Sequence, residues 1–207
     1  MIKRTFKAIG MLLIFGVSLS SLYLINLFLM KPVSIDHFLG KEFLTGLADS
    51  PESMTYIGIF DRFNWVTEHN SKLSIPNPDD LQADIKDARR TLKILNKYKD
   101  SSLSDNQKIT KKIAIFDTEN NLKQLEEFPY HDYPLNQVRG AHHNVISFMS
   151  DMHPIRSLSE AKDFIKRTNL VIDVYSGQLD WLERQAAEGI YAPEFVYAHL
   201  IKQLNEL

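Results

Sequence analysis

The chain has 207 residues, with 24 basic and 26 acidic side chains and a formal net charge of −2. This balance, without a basic stripe interleaved with aromatic residues, gives no sign of a nucleic-acid-binding surface. The chain contains no cysteine, which excludes disulfides, thiolate metal sites and a cysteine nucleophile.

The N-terminal segment predicts a membrane anchor. Residues 8–30 carry no charged side chain, and Lys3, Arg4 and Lys7 precede them. A helix of this length reaches about 35 Å, enough to cross a hydrocarbon core of roughly 30 Å. Because positive flanks stay in the cytoplasm, we expect a cytoplasmic flank and signal anchor over residues 1–31. The sequence thus predicts a single-pass membrane protein with an extracytoplasmic helical domain over 32–207.

A cleaved signal peptide is the alternative for the same segment. Its apolar run ends in bulky residues before Lys31, whereas a cleavage site prefers small ones. Cleavage near Ser18, Ser20 or Ser21 would leave an apolar tail on the product. We favour the uncleaved anchor, and both alternatives send the rest of the chain across the membrane.

Helical patterns begin directly after the anchor. Ser34 is a candidate N-cap for a helix over 35–48. The apolar segment 54–63 fits both a short helix and a buried extended segment, because short apolar runs are ambiguous. A loop over 70–78 follows, and Asn77 caps the next helix with Pro78 at its first position.

The middle of the chain continues the pattern. An apolar stripe over 81–95 indicates a helix, and Ser104 with Gln107 forms a capping box for another. We expect the inner face of that second helix to carry Ile109, Ile113, Phe116 and Leu125. The segment 128–136 is irregular, and a short helix is predicted around 142–152.

The last third predicts two helices. Ser157 with Glu160 is a second capping box, which opens one long helix that ends at Gly189. Pro193 starts the final helix. The expected buried side of the long helix is Ala161, Phe164, Ile165, Ile172, Tyr175, Leu179 and Leu182. The predicted fold class is all-α, an N-terminal transmembrane helix followed by an irregular multi-helix domain.

The seven histidines do not form a recognisable metal motif. No histidine has another four residues later, and adjacent His142 and His143 would point about 100° apart on a helix. Two His–Asp pairs could meet only through the fold: His131 with Asp132, and His153 with Asp151. We interpret all of these histidines as partly exposed or hydrogen-bonded side chains.

Other catalytic constellations are also missing. No Gly-x-Ser-x-Gly elbow and no glycine-rich phosphate loop occurs. The acidic pairs Asp79–Asp80 and Glu126–Glu127 are interpreted as solvated helix ends. Trp65 and Trp181 are interpreted as core or groove-lining residues rather than as cofactor-binding ones. The sequence therefore assigns no catalytic, cofactor-binding or metal-binding residue. The cluster of lysines is interpreted as a solvated helix face: Lys108, Lys111 and Lys112.

Six segments carry a resemblance to a known family. They are PESMTYIG at 51–58, NWVTEHNSKL at 64–73, YPLNQ at 133–137, DMHPI at 151–155, AKDFIKR at 161–167 and EGIYAP at 188–193. In order and spacing, they resemble the N-terminal part of the bacterial domain-of-unknown-function 885 family. The resemblance covers most of the chain from about residue 51 onward.

The resemblance implies an exported, largely helical protein related to zinc metallopeptidases. Members are longer and look as if they carry a histidine–glutamate zinc motif in a C-terminal half. No segment here matches that motif, so no metal ligand or catalytic glutamate is carried over. Zinc is expected only with that half, and the chain is expected to be an incomplete helical portion.

Three functional hypotheses follow. The first is a membrane-tethered N-terminal part of a zinc-peptidase-like exported protein, inactive by itself. The second is a stand-alone extracytoplasmic helical interaction module, and the third, least favoured, is a hydrolase in its own right. Expected partners are the membrane and a peptide substrate or another protein chain. If the first hypothesis holds, the helices over 175–207 should leave an apolar surface uncovered.

Overall fold

The fold is helical wherever it is described. The computed structural model describes residues 2–29 and 31–206, with side chains at 11, 13–27 and 31–206. Within these ranges all regular elements are helices, which confirms the prediction of an all-α fold. The chain divides into two compact units. Unit 1 comprises Met1–Thr45 and Thr91–Asp117, and unit 2 comprises Gly46–Arg90 and Thr118–Leu207.

The first helix, α1, runs over Ile2–Leu29. Among the described residues, no helix is both long and apolar enough to cross a membrane. The predicted charge-free run over 8–30 is not uniformly apolar. Small and polar residues interrupt that run at Gly16, Ser18, Ser20 and Ser21. The prediction of a transmembrane helix is therefore wrong. The expected basic flank lies outside the described side chains, which do not include those of Lys3, Arg4 and Lys7.

Unit 1 is built around a small apolar core. It contains α1, most of α2 (Ile35–Ala48), the end of α5 (Leu81–Leu95) and the first half of α6 (Asp105–Glu127). The buried side chains at its centre are Ile35, Phe38, Leu95 and Tyr98. The Tyr98 hydroxyl donates to the Pro32 carbonyl at 2.7 Å. Burial raises the pKa of Tyr98 to about 12, so this hydroxyl keeps its proton.

The predicted caps of unit 1 are confirmed, but one predicted face is wrong. Gln107 N donates to Ser104 Oγ, and Ser104 N donates to Gln107 Oε1, which completes the capping box of α6. The expected inner residues Ile109, Ile113 and Phe116 are 56–64% exposed. Instead, the adjacent Ala114 and Ile115 pack on the core. Apolar residues occupy two faces of α6, and packing selects the one that the sequence does not favour.

Unit 2 holds the remaining elements. The ambiguous segment 54–63 comprises the end of a helix and, after a break, a 3-10 turn over Asp61–Phe63. Gly58 ends the helix in a left-handed conformation with φ of 69°. Asn77 caps the next turn, because its side chain accepts from Asp79 N at 3.1 Å. The helices that belong wholly to this unit are α3 (Pro51–Ile57), α4 (Asn64–Thr67), α7 (Ala141–Ser147), α8 (Leu158–Asn169), α9 (Val171–Ala187) and α10 (Glu194–Asn205).

The long helix predicted after Ser157 is two helices. Leu170 separates α8 from α9, and its amide donates to the Arg167 carbonyl three residues earlier, which tightens the last turn of α8. The Ser157 hydroxyl accepts from Glu160 N as predicted. The Glu160 carboxylate instead accepts from Arg156 N at 2.6 Å, so the reciprocal half of the capping box is not made there.

The expected buried side of α8 and α9 is partly wrong as well. Ile165, Ile172 and Leu179 are 55–68% exposed, whereas Val174 and Gly177 are buried. A Cβ at Gly177 would stand 2.2 Å from the Pro76 carbonyl oxygen. The backbone of the 70–78 segment therefore touches α9 at a position that only glycine fits.

Candidate functional site

The adjacent histidines of α7 do not form a shared site. His142 is buried, and its Nε2 lies 3.1 Å from Gln203 Oε1. Because an amide oxygen only accepts, we assign the proton to Nε2, and His142 Nδ1 then has no partner among the described residues. A Cβ at Gly140 would stand 2.4 Å from that nitrogen, so the packing around His142 requires glycine at position 140. His143 is exposed.

The structure does not join the two predicted His–Asp pairs. His131 Nδ1 donates to the Pro129 carbonyl at 3.0 Å. His153 contacts Arg167 and the Glu160 carbonyl, whereas Asp151 accepts from the Ser150 hydroxyl. The interpretation of these histidines as hydrogen-bonded side chains fits the geometry.

The acidic pairs and the tryptophans lie apart from one another. Glu126 accepts two hydrogen bonds from Arg89, and Asp79 pairs with Arg184 at 2.9 Å. Trp181 is half-buried and donates to the Asp132 carbonyl at 3.3 Å. Trp65 is 80% exposed, so its interpretation as a core residue is wrong. It belongs to an exposed apolar segment with Tyr56, Ile59, Phe63 and Val66.

Zinc does not fit the residues at hand. Over the described side chains, no three His, Cys, Asp or Glu residues are grouped so that they could hold a metal ion. A zinc site needs three or four such ligands around one point. The described residues therefore assign no role to zinc.

The densest polar site of unit 2 is centred on Arg167 of α8. This side chain is completely buried, and its Nε donates to the Lys72 carbonyl at 2.7 Å. Nη1 donates to His153 Nδ1 at 2.9 Å, and Nη2 donates to Thr55 Oγ1 at 2.9 Å and to the His69 carbonyl. The guanidinium also lies over the Phe148 ring, 4.9 Å from its centre. One cation thus ties α3, α8, the 69–72 turn and the 148–153 turn together.

Among the described residues, no carboxylate contacts this guanidinium, so burial is the main influence on its pKa. Burial lowers the pKa of Arg167 to about 10, and the charges of Glu52 and Asp163 oppose that shift from a distance. Arg167 therefore stays protonated at neutral pH. His153 Nε2 lies 3.2 Å from the Glu160 carbonyl and must donate, so Nδ1 is the acceptor for Arg167. Burial also lowers the pKa of His153, which keeps the imidazole neutral.

A second histidine lies beside this network. His69 is buried, its Nδ1 is 2.7 Å from Thr67 Oγ1, and its Nε2 is 3.5 Å from Asp61 Oδ1. Asp61 in turn pairs with Arg156 at 3.0 Å. Burial lowers the pKa of His69 despite the nearby Asp61 carboxylate. The arrangement orders the 61–72 turns.

Unit 2 also contains an apolar groove. It forms a hollow of about 420 Å³ between the end of α9, α10 and the 133–135 segment. We call this hollow the apolar groove. Its apolar lining is Tyr133, Leu135, Leu182, Ala186, Ile190, Tyr191, Ala192, Tyr197, Leu200, Ile201 and Leu204. A hollow of this size and lining is typical of a binding site.

Buried polar contacts hold the walls of the apolar groove in place. Gln185 is buried at its base, and its Nε2 donates to the carbonyls of Tyr130 and Asp132 at 2.5 and 2.8 Å. The Tyr191 hydroxyl donates to the Ala186 carbonyl at 3.2 Å. Gly189, with φ of 73°, allows the chain to turn sharply after α9. The shape of the groove therefore does not depend on a bound partner.

Two main-chain donors and several apolar side chains are exposed at the apolar groove. Tyr191, Ile201 and Leu204 are 45–63% exposed. In the part of the chain that is described, neither Tyr191 N nor Ala192 N donates a hydrogen bond. Both amides precede α10 in the irregular segment 190–193. Two lining residues of the groove, Tyr191 and Ala192, thus carry backbone amides with no partner among the described residues.

Sequence reasoning missed both Arg167 and the apolar groove. Arg167 follows Phe164 by three positions and so shares its helix face, which was the available signal for burial. Its partners lie far away in the chain, so the sequence does not reveal them. The sequence did predict an uncovered apolar surface over 175–207, which forms one wall of the groove. Nothing in the sequence pointed to the other wall, near residue 133.

Comparison with known proteins gives one result. The family model described as bacterial protein of unknown function, DUF885, matches residues 51–207. No curated protein and no solved structure matches the chain. The matched range contains the Arg167 network and the apolar groove.

Proposed function

The chain belongs to the bacterial DUF885 family, and we propose that it is a helical module that binds a polypeptide segment in the apolar groove. The observation that carries the proposal is the pairing of an apolar hollow with two free amides, Tyr191 N and Ala192 N. A polypeptide can fill the hollow with a side chain while its carbonyls accept from these amides. A lipid chain would use only the hollow.

The size of the hollow sets the expected affinity. One aromatic side chain buries about 150–250 Å², worth roughly 4–6 kcal/mol at about 25 cal/mol per Å². Because the entropy lost on association offsets part of this gain, we expect a dissociation constant no tighter than about tens of micromolar. Three tyrosines, Tyr133, Tyr191 and Tyr197, suit such a site because they combine apolar area with few rotatable bonds.

The proposal also covers the case in which the chain is part of a zinc-peptidase-like protein, as the resemblance implies. In that case the chain supplies polypeptide binding, and it does not supply the catalytic groups. The same groove then serves both a stand-alone module and a peptidase-like protein, and the binding experiment is the same for both.

The test is a titration of the full chain with short labelled peptides of Gly and Ser that carry Phe and Leu. Fluorescence anisotropy should show binding, and a peptide with Ser at both apolar positions should not bind. Ile201→Asp should weaken binding about tenfold or more, because Ile201 lines the groove. Ile165→Asp is the matched control, since Ile165 is 61% exposed and Ile201 60% exposed, and only Ile201 belongs to the groove. Equal weakening by both variants, or no binding of the apolar peptide, would contradict the proposal.

A further inference from the structure

Three carboxylates lie at the edge of the apolar groove. Asp132 immediately precedes the lining residue Tyr133, and its carbonyl is fixed 2.8 Å from Gln185 Nε2. Glu188 and Glu194 flank the segment 190–193, which carries the free amides. All three side chains are exposed, and each residue lies within two positions of a lining residue in the chain.

These carboxylates are not neutralised by neighbours. Within the described residues, none of them forms an ion pair, whereas most cations of the same elements do. Arg184 pairs with Asp79 at 2.9 Å, and Lys202 pairs with Glu206 at 3.9 Å. Arg139 is the remaining cation of these segments, and it is exposed without an ion pair. The edge of the groove therefore carries a net negative charge.

The stability of the fold does not account for this charge. Glu194 lies in the first turn of α10, where a carboxylate is favourable. Glu188, in contrast, follows the C-terminal end of α9, where the helix dipole disfavours negative charge. Asp132 lies in an irregular segment and gains nothing from a helix end. A carboxylate that opposes the helix dipole beside a proposed binding site is typical of a functional position.

We propose that the polypeptide bound in the apolar groove carries Lys or Arg beside its apolar anchor. This inference rests on the proposed function and narrows it to one class of ligand. The apolar side chain fills the hollow, and the flanking cation lies against Glu188, Glu194 or Asp132. Because these charges are exposed, they act mainly on partner choice and association rate, and salt screens them.

The experiment compares three labelled peptides with the same Phe and Leu anchor and with Lys, Ser or Glu on both sides. The peptide flanked by Lys should bind the full chain about 3- to 10-fold more tightly than the one flanked by Ser, and the one flanked by Glu more weakly. The differences should largely disappear in ~1 M NaCl, where the Debye length is about 3 Å.

Two charge variants separate the edge of the groove from the overall charge of the protein. Glu188→Gln should reduce the preference for Lys about two- to fivefold. Glu119→Gln is the matched control, because Glu119 is exposed on α6 and outside the lining of the groove. It should leave the preference unchanged.

The outcomes distinguish the two proposals. Equal binding of the three peptides would overturn the charge preference and leave the groove as a binding site. An equal effect of Glu188→Gln and Glu119→Gln would also overturn it. If no peptide binds, or if a Lys-flanked peptide without Phe and Leu binds equally well, the proposed function itself fails.

Discussion

Replacement of Arg167 should be the most damaging single change in unit 2. Arg167→Met keeps much of the volume but removes every donor. Thr55 Oγ1 keeps its contact with Asn70, and the exposed Lys72 can turn its carbonyl to water. The His69 carbonyl keeps the bond that it accepts from Lys72 N at 3.2 Å, whereas His153 Nδ1 stays buried without a donor. At about 1–3 kcal/mol for this nitrogen and about 0.5 kcal/mol for each of the three other lost hydrogen bonds, the expected loss in free energy of unfolding is about 2.5–4.5 kcal/mol.

Urea unfolding at neutral pH, followed by far-ultraviolet circular dichroism, measures this loss. Arg156→Met is the control, because the Arg156 side chain is 66% exposed and its ion pairs with Asp61 and Glu160 lie at the surface. It should cost less than about 1 kcal/mol. Arg167→Lys should fall between the two, since one ammonium cannot reach all four acceptors. A loss for Arg167→Met no larger than that for Arg156→Met would refute the reasoning.

Two further predictions concern glycine and histidine. Gly177→Ala should lower the free energy of unfolding by about 1–3 kcal/mol, because its Cβ would meet the Pro76 carbonyl, whereas Gly40→Ala, with open space, should raise it by up to about 1 kcal/mol. Equal urea midpoints for the two variants would contradict this contrast. Burial lowers the pKa of His153, so the unfolded chain binds more protons below about pH 6.5, and stability should fall as the pH drops through that value. His153→Gln should weaken this pH dependence of the urea midpoint and His143→Gln should not; the same slope in both variants would count against it.

The sequence predicts the helices of this chain better than it predicts their buried faces. Ser104 with Gln107, Asn77 and Gly189 all mark real helix ends, because capping depends on neighbours within a few residues. The inner face of α6 failed, since Ile109 and Ile115 both belong to plausible apolar stripes. Only contacts with distant segments decide between such stripes.

The candidate sites were less predictable for the same reason. A charged residue such as Arg167 is normally read as exposed, and only the fold supplies its distant acceptors. The apolar groove joins Tyr133 to α10 across a long stretch of sequence. The transmembrane prediction failed for a different reason: it treated residues 8–30 as one uniform apolar run.

The buried arginine also has a consequence for the order of folding. Arg167 bonds to residues 95, 98 and 112 positions away, at Lys72, His69 and Thr55. Closing a loop of this length costs about 4 kcal/mol of chain entropy, and the guanidinium must lose its water in the same step. Helix α8 can form early through its local cap, but these three bonds can form only when both stretches meet. We therefore expect α8 to dock onto the 55–72 segment late and as a single cooperative event.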